Sequence, residues 1–98
     1  GDEELYRAVA AMYVQDSPGY REALEASLAA ADVGMLAREA HTIKGLLATF
    51  SCDAWAMLAR DIETLAKDGR FDEVAARVPQ LLEVIDELAV LLAAEAGS

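Results

Sequence analysis

Apolar residues recur every three or four positions along almost the whole chain, and nowhere does an alternating, strand-like pattern hold. Strong break signals fall at Asp16-Ser17-Pro18-Gly19, Ala31-Asp32-Val33-Gly34 and Lys67-Asp68-Gly69-Arg70. A weaker one lies at Ser51-Cys52-Asp53, where Ser51 or Asp53 is a candidate cap. These breaks delimit five helical segments. The first, about 3–14, places Leu5, Val9 and Met12 on one side. The second, about 18–30, takes Ser17 as N-cap and Pro18 as its first residue, with Tyr20, Leu24 and Leu28 aligned. Asp32 caps the third, about 33–50, whose apolar side reads Leu36, Ala40, Ile43, Leu47 and Phe50. The fourth, about 54–67, carries Trp55, Leu58, Ile62 and Leu65, and the fifth, about 71–95, runs from Phe71 to Leu92. Pro79 lies inside that fifth pattern, where it is expected to kink the helix or split off its first turns. Long amphipathic helices on short turns predict an all-α fold: an antiparallel up-down four-helix bundle, with an additional short N-terminal helix packed across one end.

Composition supports this. The 98 residues are 55% hydrophobic, weighted toward alanine and leucine, the residues that lose least on entering a helix. That length predicts one domain, 1–98, burying roughly 60–65% of its unfolded surface. Eight Lys and Arg against 18 Asp and Glu give a net charge of −10, which excludes a general nucleic-acid or anionic-membrane surface. The single cysteine, Cys52, excludes an intramolecular disulfide and fits a reducing, cytoplasmic compartment. With no histidine near it in sequence to act as a base, Cys52 has no catalytic reading. Gly1-Asp2-Glu3-Glu4 is no secretory leader, and the Gly1 start fits a segment excised from a longer protein. One histidine and scattered acids offer no metal-ligand set, and the Met and aromatic positions read as packing, so neither metal nor cofactor is expected.

The candidate chemistry lies on the third segment. With His41 at 0° and 100° per residue, Gly34, Ala37, Arg38, Lys44, Gly45 and Ala48 fall within about 60° of it. Opposite fall Met35, Leu36, Glu39, Ala40, Ile43, Leu46, Leu47 and Phe50, a core face in which Glu39 is the one misfit. The His41 face therefore has almost nothing to bury. Small residues around the ring let a partner approach, while Arg38 and Lys44 lie one turn away, within reach of a group attached to it. A neutral imidazole is a nucleophile, and an exposed one beside cations suits the passage of an anionic group between proteins, phosphoryl above all.

Ala40-His41-Thr42-Ile43-Lys44-Gly45 resembles the A-H-x-[LI]-K-G signature of histidine phosphotransfer (HPt) domains. The likeness extends to Asp32 opening the helix nine residues before His41, to Ile62-Glu63 where the family often has Leu-Glu, and to Gly69 closing that helix, covering roughly residues 5–92. It implies that His41 accepts a phosphoryl group on Nε2 from a receiver-domain aspartate and passes it to another receiver, with Lys44 steadying the phosphoryl oxygens and Gly45 leaving them room. Gly34, Ala37, Arg38 and Ala48 are the expected docking residues, Arg38 by inference from its place beside the ring, since it is no part of the signature. The chain departs from the family at Leu46-Leu47, where small residues are common, and at Ser51, where glycine is common.

The implied role is a monomeric phosphotransfer carrier without ATP-binding or kinase activity, expected as the HPt domain of a hybrid sensor histidine kinase. Its partners are receiver domains, with no nucleic acid and no direct membrane contact. The alternative is a helical scaffold that binds receivers without transfer. A kinase dimerisation domain would follow its histidine with an acid and soon a proline, whereas Thr42 and Ile43 stand here. A carrier with a serine-linked prosthetic group would want Asp-Ser-Leu at a helix start, which the chain lacks.

Overall fold

In a computed structural model, which describes residues 2–97, the chain forms four helices: α1 (Asp2–Ala29), α2 (Val33–Thr49), α3 (Asp53–Lys67) and α4 (Phe71–Gly97). Gly1 and Ser98, the ends of the expected domain, lie outside the described residues. No strand occurs among the described residues, so the all-α expectation holds. The helices pack as a ring, α1 chiefly on α4 and α2 chiefly on α3. The largest fully buried side chains are Leu24, Leu36, Ile43, Leu47, Ile62, Val74, Val78, Leu81 and Ile85, drawn from all four helices. Each contributes roughly 1.5–3 kcal/mol of burial. Among the described residues no helix is long and apolar enough to cross a membrane.

The expected short N-terminal helix does not exist. The first two segments form one helix of 28 residues, which runs through Pro18 without a break and along α4 instead of across the bundle end. A proline inside a helix leaves the carbonyl four residues earlier without its donor, here that of Val14. Ser17 supplies a replacement: its hydroxyl donates to the Val14 carbonyl at 3.1 Å. Ser17 is therefore a buried patch on the helix and no N-cap. The continuous helix also resets the buried face to Ala10, Tyr13, Ser17, Leu24 and Ser27, leaving Leu5 and Met12 exposed. Tyr13 fixes that register by donating from its hydroxyl to the Ile85 carbonyl at 2.9 Å. Pro79 likewise splits nothing off α4, since it sits on the solvent side, where water can reach the freed carbonyl.

The three real turns share one construction. Asp68 ends α3, Gly69 follows at φ 72°, its N–H bonds the Ala66 carbonyl, and the Arg70 N–H reaches back to Leu65. This pair of bonds is the Schellman stop, which needs a left-handed residue. The same two bonds close α1 through Ala31 at φ 52° and α2 through Ser51 at φ 60°. Glycine occupies one of the three left-handed positions, and side chains strain the other two. The next helices start unequally. Asp32 caps α2 by accepting from the Met35 N–H at 3.0 Å, as expected. At α3 neither Ser51 nor Asp53 caps; the N-cap is Cys52, which makes no side-chain capping bond.

Relieving that strain should stabilise the fold. Ser51→Gly and Ala31→Gly are each expected to raise the unfolding free energy by about 0.5–1 kcal/mol, and Gly69→Ala to lower it by about 1 kcal/mol. Thermal melts of the three variants check this, since 1 kcal/mol moves the midpoint of a domain this size by roughly 4–8 °C. A lowered midpoint for both glycine variants would refute the turn assignment.

Candidate functional site

Helix α2 divides as the sequence predicted, with two corrections. Leu36, Ala40, Ile43 and Leu47 are buried, while Gly34, Arg38, His41, Gly45 and Ala48 are exposed. Met35, expected in the core, is 37% exposed. Ala37, expected on the open docking face, is buried. It lies where α3 covers α2, a close approach that the buried alanines Ala59 and Ala66 of α3 permit.

Between those alanines on α3 stands Glu63, whose side chain is only 6% exposed. Its carboxylate collects three cationic or ring donors. His41 Nδ1 lies 3.0 Å from Oε2, Lys67 Nζ 2.9 Å from the same oxygen, and Lys44 Nζ 3.0 Å from Oε1. Burial by itself raises the Glu63 carboxyl, but the hydrogen bonds from Lys67, Lys44 and His41, together with the Lys44 charge, outweigh it and hold the group at about 2. Glu63 is thus ionised at neutral pH and can only accept hydrogen bonds, so Nδ1 carries the proton. In the neutral ring the lone pair then belongs to the other nitrogen, Nε2, on a side chain that is 66% exposed. The ring is oriented and its nucleophilic edge is presented outward.

Around the ring the surface is open and small. A shallow depression of about 350 Å³ is lined by Gly34, Ala37, Arg38, His41, Glu63 and Lys67. Ala48 lies further along the exposed face and outside that depression. Arg38 is exposed beside His41, its guanidinium 4.0 Å from the Met35 sulfur. A Cβ built on Gly45 meets nothing within 4 Å, so nothing in the fold requires a glycine there. Lys44 is half-buried and tied to a buried carboxylate. Cys52, in the turn between α2 and α3, does not line this depression, and burial, with the Asp53 charge, pushes its thiol up. No group of three or more His, Cys, Asp or Glu among the described residues is placed to hold a metal ion.

Glu63 and Lys67 are the residues that sequence reasoning passed over. Glu63 entered only as half of a family dipeptide, and Lys67 only as part of a helix stop. The local signal was an acid directly beside Ile62 and flanked at i−4 and i+3 by Ala59 and Ala66, which marks a carboxylate at a helix seam and not on a solvated face.

The low Glu63 value carries a pH signature. A carboxyl held below its ordinary value of 4.5 stabilises the fold fully above that value and loses the effect as pH falls toward about 2. The wild-type chain should therefore lose up to about 3 kcal/mol more stability between about pH 6 and 2 than Glu63→Gln, which itself is less stable at neutral pH. Urea unfolding of both proteins across that range measures the difference. Parallel curves would show that Glu63 gains nothing from its three partners.

The family model of the Hpt domain matches residues 8–91. Among solved structures, the chain is similar to histidine-containing phosphotransfer protein B (HptB) from Pseudomonas aeruginosa PAO1. The two are 25% identical with a TM-score of 0.86, over 95% of this chain and 81% of that one. No curated protein matches the sequence significantly. A helical bundle of matching fold, a family match across most of the chain and an exposed histidine on a prepared face agree: the chain belongs to the Hpt family, the histidine phosphotransfer carriers of phosphorelays.

Proposed function

We propose that His41 is the phosphoacceptor of this carrier, taking a phosphoryl group from a receiver-domain aspartate and handing it to a second receiver. The observation that supports this most is the 3.0 Å contact between His41 Nδ1 and the ionised Glu63, which makes the exposed Nε2 the lone-pair nitrogen of the neutral ring. In the forward step the Nε2 lone pair attacks phosphorus, the N–P bond forms, and the P–O bond to the aspartate breaks with its electrons returning to the carboxylate. The ring becomes an N-phosphorylated imidazolium whose proton stays on Nδ1, donated in a hydrogen bond to Glu63. No proton moves, so no general base is needed. Handing on the group is the same step reversed.

Lys44 serves two anions in this scheme. One N–H holds Glu63 Oε1, and the others face the charge that arrives on the ring, so its ammonium needs no reorganisation when the phosphoryl group arrives. Gly45 keeps clear the approach along which a receiver brings its aspartate in line. Gly34, Ala37 and Arg38 form the surface on which the receiver rests, with the buried Ala37 as floor, and Ala48 extends it. Residues 1–98 act as one such unit, a monomeric carrier with no ATP chemistry of its own, serving cytoplasmic receivers such as those of a hybrid sensor kinase.

Offered a panel of phosphorylated receiver domains, the chain should take up acid-labile label on His41 and lose all of it in His41→Gln. Label that survives the substitution would overturn the assignment. Gly45 separates transfer from folding. Gly45→Ala should raise stability by about 0.5–1 kcal/mol, because the added methyl meets no atom and helix propensity improves. Gly45→Gln should fold at least as well as the wild type yet transfer more slowly than Gly45→Ala. Melting and transfer rates measured on the same variants decide the point, and a loss of stability without loss of transfer would make Gly45 a packing residue.

A further inference from the structure

Two donors converge on one oxygen. His41 Nδ1 and Lys67 Nζ both approach Glu63 Oε2, at 3.0 and 2.9 Å, while Lys44 has Oε1 to itself at 3.0 Å. The two lysines are therefore not equivalent. Lys67 competes with the ring for the same negative charge, at the oxygen that holds Nδ1. Arg38 lines the same depression from α2, and Arg60, a turn before Glu63 on α3, is exposed and outside it. Nothing in the transfer chemistry above uses Lys67.

We propose that Lys67 is a positioning residue that sets how strongly Glu63 holds the charged ring of His41, and with it how far the phosphoryl equilibrium lies toward phosphohistidine. The inference rests on His41 being the phosphoacceptor. Its logic is the charge change in the reaction. The free ring is neutral at Nε2, whereas the phosphorylated ring is an imidazolium whose charge is shared with Nδ1. A carboxylate undiluted by Lys67 stabilises that cation more than the neutral ring. Lys67 therefore weakens the grip on the phosphorylated state and makes the imidazole a better leaving group. A carrier needs this balance, because a phosphoryl group held too firmly is not passed on.

The test uses the 98-residue chain with Lys67→Met and Lys67→Arg. Two readings are taken: the His41 ring titration by NMR, and the equilibrium of label with a receiver domain that exchanges it with the wild type. Lys67→Met should move the ring's titration midpoint upward by a few tenths of a pH unit and shift the equilibrium roughly two- to three-fold toward phosphohistidine, the size of effect a half-exposed ion pair supports. Lys67→Arg should restore both. Thermal melts confirm that the variants fold, with Lys67→Gln as a second neutral substitution. An unchanged midpoint overturns the proposal. So does an equilibrium that moves toward the receiver, which would make Lys67 a direct phosphoryl contact. Failure of the underlying reading looks different: label absent from the wild type, or retained by His41→Gln.

Discussion

One buried carboxylate organises both the seam between α2 and α3 and the face that seam presents. Glu63 lies almost wholly out of water, and a lone charge there is costly enough that three donors are needed to hold it ionised. Two of those donors, His41 and Lys44, come from α2, and the third, Lys67, from the next turn of α3 itself. The node thus fixes the rotation of α2 against α3. If α2 turned by one residue, Glu63 would lose both of its cross-helix partners at once. Replacing such a group by a well-packed apolar residue is often neutral or stabilising. The carboxylate is therefore poorly explained by stability and well explained by what it does to the ring.

That effect is selective. Hydrogen bonding at Nδ1 chooses the tautomer, burial keeps the carboxylate from wandering, and exposure of His41 leaves Nε2 open to a partner. The chain carries −10 overall, yet Arg38, Lys44 and Lys67 against Glu63 leave this patch locally positive. Arg38 and Lys44, one turn either side of His41, keep positive charge on a surface that is otherwise acidic, while Lys67 is taken up by the Glu63 oxygen that holds Nδ1. Electrostatic preorganisation of this kind costs nothing at the moment of reaction.

The helical content, the core face of α2 and the exposed His41 were all legible from residue spacing, because side-chain burial on a long helix follows its 3.6 period. The errors came where a local rule met a tertiary compensation. Ser17-Pro18-Gly19 carries strong breaker chemistry, yet the Ser17 hydroxyl replaces the bond that Pro18 removes and the helix continues. At Ser51-Cys52-Asp53 the chain turns as expected, but Cys52 stands at the N-cap in place of Ser51 or Asp53, and a serine takes the left-handed position glycine would prefer. Glu63 and Lys67 were hidden for another reason. Their importance comes from α2 across the seam, 19 to 22 residues away in sequence, and no pattern within α3 alone names those partners.

The departures from local preference fall into two groups, and their positions tell them apart. Ala31 and Ser51 are each worse than glycine by about 0.5–1 kcal/mol, Pro18 is worse than an ordinary helix former by more, and none of them lines the depression beside His41. They are tolerated because a core drawn from four helices supplies more than enough burial to offset them. Gly45 and Glu63 are also worse than alternatives the fold itself would accept, an alanine in open space and an apolar residue in a seam. Both lie within one turn of His41 or in contact with it. Strain scattered over a bundle marks what its stability can absorb. Cost concentrated around one exposed imidazole, with the cations to complement an incoming charge, marks what the bundle is for.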